Sequence, residues 1–235
     1  MTERSLNNIP DAVKKSVREN IEKIRAGIGD RATLMAATKT VPVEVINYAI
    51  TECGLTDIGE NRVQELLSKY DALEKDKVNL HFIGTLQANK VKYIVGKVCL
   101  IHSLDSVKLA EEISKRSLKI GTVTDCLCEI NIGSEEAKGG IKESDAEEFI
   151  RSVSTLEGIR IRGIMVIGPH CERTDDYIPI FERTKALFDS LSDKGLLSDN
   201  PILSMGMSDN YSLAVSYGST LVRPGSAIFG ARNYV

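Results

Sequence analysis

The stretch "LMAATKT", Leu34 to Thr40, ends an otherwise apolar run in a lysine, Lys39. An amine delivered by a buried strand has two ordinary fates. It leads the chain back to the surface, or it stands in a partly dry site where its charged form is disfavoured and the neutral amine can attack a carbonyl. A second group of reactive types gathers near the C-terminus, where "LSMGMSDN" supplies Gly206 and Ser208 and "LVRPGSAIFG" supplies Arg223, Gly225 and Ser226. Glycine and serine ahead of short helices leave backbone N–H groups able to hold an anion, and the same N–H groups serve equally as partners for capping hydroxyls. Arg223 also has two readings: it pairs with a carboxylate at a rim, or it donates to a ring nitrogen and keeps that nitrogen unprotonated.

The elements that position these residues follow from apolar rhythm. Val13, Val17, Ile21, Ile24 and Ile28 recur at helical spacing, with Pro10 near the start and Gly27 and Gly29 at the end, which predicts a lead-in helix within residues 1–30. Thereafter short apolar runs alternate with amphipathic stretches: "TLMAAT", "LTDIGE", "NLHFIG", "KVCLIHSL", "CLCEINIG", "IRIRGIMVIG", "PILSMG" and "STLVRPG". Their linkers are short, so the expected architecture is α/β, a (β/α)8 TIM-type barrel forming a single domain over 1–235 with the N-terminal helix packed on it. Strand C-termini share one face of such a barrel, and that face carries Lys39, Gly59, Glu60, Gly84, Gly133, Gly168, Gly206 and Gly225. A lysine, a phosphate cradle and an arginine facing a ring on that face describe pyridoxal 5'-phosphate held through Lys39 as a Schiff base.

Composition narrows the alternatives. The chain has 235 residues, 42% hydrophobic and 27% charged, with a formal net charge of -3, so no general attraction to nucleic acid or to a membrane surface is expected. "MTERSLNNIP" has no apolar signal core, and no apolar run reaches the length of a membrane span. The five cysteines form no Cys-x-x-Cys pair, and Cys126 and Cys128 share one face of a strand as core residues do, so a reducing cytoplasmic setting is expected. His81, His102 and His170 show no metal-ligand spacing, so no metal site is expected.

The segments "ATKT", "IGENRVQE", "HFIGTLQANK", "EINIGSEEAKGGI", "IRGIMVIG", "LSMGMSDN" and "GSTLVRPGSAIFGARNY", in that order from Met35 onward, resemble the pyridoxal phosphate homeostasis protein family. The resemblance implies a barrel of the alanine racemase N-terminal type that binds pyridoxal 5'-phosphate at Lys39. By position it implies Arg223 at the pyridine nitrogen, Ser208, Gly225 and Ser226 at the phosphate, and Asn61 close to the cofactor. The chain departs from the family pattern at Thr38, where many relatives have serine, and in "VIGPHCERTDD", which replaces a Pro-rich turn and contains His170 and Cys171. Alanine racemases take a second base from a C-terminal β domain, whereas this chain ends at "NYV" just after the barrel. The resemblance thus favours a cytoplasmic cofactor carrier, monomer or weak dimer, with apo pyridoxal-phosphate enzymes as partners. The alternative is a pyridoxal-phosphate enzyme, racemase-like, with an unidentified substrate.

Overall fold

The computed structural model describes residues 9–132, 139–168 and 171–230. Gly133 and His170 lie outside these residues. The lead-in helix is α1 (Asp11–Ile28), followed by β1 (Thr33–Ala37), α2 (Val43–Cys53), β2 (Asp57–Glu60), α3 (Val63–Tyr70), β3 (Asn79–Phe82) and β4 (Leu100–Leu104). Then come α4 (Val107–Lys119), β5 (Thr124–Asn131), β6 (Ile141–Lys142), α5 (Ala146–Val153), β7 (Ile159–Val166), α6 (Ile178–Asp193), β8 (Ile202–Ser204), α7 (Tyr211–Ser216), β9 (Leu221–Val222) and α8 (Ser226–Phe229). A 3-10 run, Ala88–Tyr93, stands after β3 where an α-helix would complete the repeat.

The strands pair in parallel in the order β1-β2-β3-β4-β5-β7-β8-β9, and β9 returns to β1, so eight of them close into a barrel. The short β6 pairs with the end of β5. This is the expected TIM-type architecture. Alternation along each strand explains the closure: Leu34 and Ala36 face the surrounding helices, whereas Met35 and Ala37 pack inside the barrel with Ile83 and Leu221. A second interior layer holds Leu100, Leu127 and Met165. Cys126 and Cys128 face the helices and are buried there as core residues.

Helix α1 buries Val17, Ile21, Ile24 and Ile28, each worth about 1.5–3 kcal/mol of apolar transfer. Val13, placed by spacing on the same stripe, is 37% exposed and borders a cavity instead. Docking is directed by polar contacts at the ends of other helices. Arg25 donates to the carbonyls of Cys53 (2.7 Å) and Gly54 (2.6 Å), the unsatisfied end of α2, while Asn20 Nδ2 donates to Ile228 O in α8 at 3.0 Å. Among the described residues no helix is long and apolar enough to cross a membrane.

Candidate functional site

The inward phase of β1, Met35 and Ala37, continues to Lys39, which is half-buried just beyond the strand. The turn that carries it is pinned from three sides. Thr38 N–H donates to Gly59 O at 3.0 Å, and Thr38 Oγ1 lies 2.8 Å from Glu60 Oε1. Thr40 takes a left-handed conformation, φ +65°, and its N–H donates to the Glu65 carboxylate. Lys69 Nζ reaches Thr38 O (2.9 Å), Glu60 Oε1 (2.8 Å) and Glu65 Oε1 (2.7 Å), so each ammonium proton has its own acceptor. Glu60 is fully buried and its Oε2 has no hydrogen-bond partner among the described residues; burial raises its carboxyl pKa, with Lys69 opposing the rise.

Two C-terminal loops meet beside this turn. Ser208 Oγ accepts from Gly225 N–H (3.0 Å) and Ala227 N–H (3.1 Å), so it caps α8 across the site rather than the helix that follows it. Asn210 Oδ1 closes its own loop by accepting from Met207 N–H at 2.8 Å. The strand junction is tight: Ala37 N–H donates to Pro224 O at 2.9 Å, and a Cβ at Gly225 would stand 3.0 Å from Ala37 O. A cavity of about 520 Å³ opens here, walled by Ala37, Lys39, Gly225 and Ser226 and bordered by Pro10 and Val13 of the N-terminal segment. That volume lies within the range of about 300–1,000 Å³ usual for small-ligand sites.

Arg223 follows β9 into the barrel. It is buried, with Nη1 donating to Ser204 Oγ (2.7 Å) and Nη2 to Val166 O (2.9 Å), so these polar groups replace the rim carboxylate as its direct partners. Desolvation lowers its pKa to about 10, which still leaves it a cation at neutral pH. Glu129, on the inward phase of β5 with Leu127, acts on it through space. Burial, with Asp105 adding to it, pushes Glu129 up to about 7, and Arg223 draws it back. Asn61 lies just past β2, where its Oδ1 is buried with no hydrogen-bond partner among the described residues. Gly84 is what lets its backbone fit, since a Cβ there would come within 2.0 Å of Asn61 O.

A family model described as alanine racemase, N-terminal domain, matches residues 14–233. The pyridoxal phosphate homeostasis protein of Aquifex aeolicus (strain VF5) is 46% identical over 221 residues, covering 93% of this chain and 96% of that protein. The chain belongs to the pyridoxal phosphate homeostasis protein family. Among solved structures, an unknown protein from Bifidobacterium adolescentis matches with a TM-score of 0.88 at 32% identity, over 94% of this chain and 97% of that one. PipY of Synechococcus elongatus PCC7942, solved with PLP bound, matches with a TM-score of 0.83 at 29% identity, over 91% of this chain and 100% of that one.

In this family member the residues singled out by sequence fall into two groups. Lys39, Gly225 and Ser226 wall one cavity and Ser208 is tied to it; Asn61 and Arg223 stand at the ends of β2 and β9, the two neighbours of β1. Sequence reasoning placed Glu60 on this face but gave it no role, and it gave none to Lys69, Glu129, His102 or Ser204. The available signal was a polar residue interrupting an apolar strand, as His102 and Ser103 do in "LIHSL". Among the described residues, no group of three or more His, Cys, Asp or Glu side chains could hold a metal ion.

Proposed function

We propose that this chain is a pyridoxal 5'-phosphate-binding protein that holds the cofactor on Lys39 as a Schiff base and hands it on in the cytoplasm, contributing to intracellular vitamin B6 homeostasis. Residues 1–235 act as one binding unit, with the helix in 1–30 covering one side of the site. The observation that carries this reading is the meeting of Lys39 with Gly225 and Ser226 on one cavity wall, with Ser208 bonded to Gly225. PipY, solved with PLP bound, supports the ligand.

The residues present fit the group. Ser208 Oγ already accepts the Gly225 and Ala227 N–H groups, so its own proton is left to donate to a phosphate oxygen, and Ser226 brings its backbone N–H beside it. The unpartnered Asn61 Oδ1 offers a polar contact to a ring substituent. Arg223 supplies a fixed donor for the pyridine nitrogen. When bound, the cofactor contributes an aldehyde that condenses with an amine, and an arginine at the ring nitrogen weakens it as an electron sink. This favours a carrier, monomer or weak dimer, that serves apo pyridoxal-phosphate enzymes.

Glu129 favours a second reading. A carboxyl titrating at about 7 is suited to acid–base work, as a pyridoxal-phosphate enzyme with an unidentified substrate would need. Incubating loaded protein with common amino acids, and separately with an apo transaminase, decides between them. The carrier reading predicts background turnover together with activation of the apo-enzyme; robust racemisation or transamination would support the enzyme and sink the carrier.

A further inference from the structure

A line of buried polar side chains crosses the barrel from one end to the other, between apolar layers of the interior. Asp57 opens β2 at the N-terminal end, and Arg223 lies at the C-terminal end. Between them His81 Nε2 is 3.1 Å from Asp57 Oδ1, His81 Nδ1 is 3.0 Å from His102 Nε2, His102 Nδ1 is 3.4 Å from Ser204 Oγ, and Ser204 Oγ is 2.7 Å from Arg223 Nη1. All five residues are buried. They come from β2, β3, β4, β8 and the end of β9, strands on both sides of the barrel.

The direction of this line follows from its ends. Arginine only donates, so Ser204 Oγ accepts from Nη1 and has one proton of its own to place. Its other described neighbour is His102 Nδ1, which must then accept and leave the His102 proton on Nε2. That proton is donated to His81 Nδ1, and the remaining His81 proton, on Nε2, is donated to Asp57. Every donor therefore points from the cation to the carboxylate, with each imidazole carrying its donated proton on Nε2. The opposite direction strands the Ser204 proton and places a charged imidazole in the barrel, which is costly without full compensation. Other contacts agree. Asp57 is held as an anion by further donors, Thr56 Oγ1 (2.7 Å) and Asn79 Nδ2 (3.1 Å), and desolvation keeps His102 well below the usual imidazole range, with His81 and Arg223 adding to it.

We propose that Ser204, His102, His81 and Asp57 are positioning residues for Arg223, forming a hydrogen-bonded line of one direction that fixes the plane of the guanidinium and locks both histidines as Nε2–H tautomers. Ser204 and the Val166 carbonyl occupy one N–H on each terminal nitrogen. The remaining N–H groups are thereby aimed as a rigid donor set. The consequence for cofactor binding rests on Arg223 meeting the pyridine nitrogen; the line itself does not.

The test has two readouts. The first is nitrogen-15 NMR of the histidine rings in the protein without cofactor, from about pH 5.5 to 8.5, across the ordinary imidazole midpoint near 6.5. The expected result at the upper end of this range is the Nε2–H pattern at both His81 and His102, and His102 keeps it throughout. An Nδ1–H pattern at either ring, or an imidazolium at His102, overturns the line. The second is Ser204→Ala, which removes the link next to Arg223. Pyridoxal 5'-phosphate binding is expected to weaken about tenfold and its visible band to move, with Ser204→Thr restoring both. A purely structural role predicts a lower melting temperature with unchanged affinity and band, and that outcome also overturns the proposal. If the tautomers are as stated but wild-type protein binds no pyridoxal 5'-phosphate, the line stands and the cofactor assignment fails.

Discussion

Glu129→Gln stabilises the protein at pH 8 by up to about 3 kcal/mol and removes a pH dependence that the wild type shows. In the folded chain burial and Asp105 raise the Glu129 pKa from 4.5 to about 7, against the pull of Arg223. A carboxyl raised on folding binds its proton more tightly in the native state. Its contribution to stability is therefore fully present below the unfolded pKa and is lost as pH rises through about 7, where the native state must carry a poorly solvated charge. At about 1.4 kcal/mol per pKa unit the shift amounts to about 3 kcal/mol, an upper bound. Glutamine keeps the shape without the charge. Urea unfolding at about pH 5 and pH 8 reads the effect: wild-type stability falls over this interval, and the variant's falls less by that amount. Parallel pH profiles for the two proteins would show that Glu129 is solvated like any surface carboxylate.

Lys69→Met has an effect as large in the opposite direction. Lys69 satisfies Glu60, Glu65 and the Thr38 carbonyl at once, and Glu60 has no exposure to water through which to recover the loss. Removing one partner of a buried pair costs about 3–5 kcal/mol, since the other charge is left without compensation. The loss is expected in full near pH 8 and shrinks as pH falls, because Glu60, already raised by burial, can then take up a proton. Glu60→Gln on the Lys69→Met background restores most of the stability. Thermal or urea unfolding of the three proteins at both pH values checks this cycle, and additive single and double changes would mean that the two side chains are not coupled. The same substitution loosens the Thr38–Thr40 turn, so the position of Lys39 depends on a salt bridge behind it.

The barrel was legible because its signal is local. Each of the eight apolar runs, from "TLMAAT" to "STLVRPG", contains a strand, and the inward phase of Met35 and Ala37 leads directly to Lys39. The meeting of Ser208 with Gly225 was also within reach, since adjacent strands carry both loops. What escaped depends on closure. Ser204 and His102 are 102 residues apart in the chain and touch only because the sheet rolls up. The partnership of Glu60 with Lys69 needs the last turn of α3 brought back beside the end of β2. Val13 continues the stripe of α1 by spacing, yet it is exposed and borders the cavity. Periodicity reports which face of an element is apolar, and it carries no information on which polar groups closure will bring together.

The central claim is that Lys39 anchors the cofactor, and the most direct measurement is chemical. Protein loaded with pyridoxal 5'-phosphate is reduced with borohydride, digested and mapped by mass spectrometry, beside Lys39→Ala treated in the same way. The account predicts a visible absorbance band in the wild type, lost in the variant, and a pyridoxyl adduct on the peptide containing Lys39 and on no other. A colourless protein that cannot be loaded, or an adduct that maps to a different lysine and persists in Lys39→Ala, would contradict it.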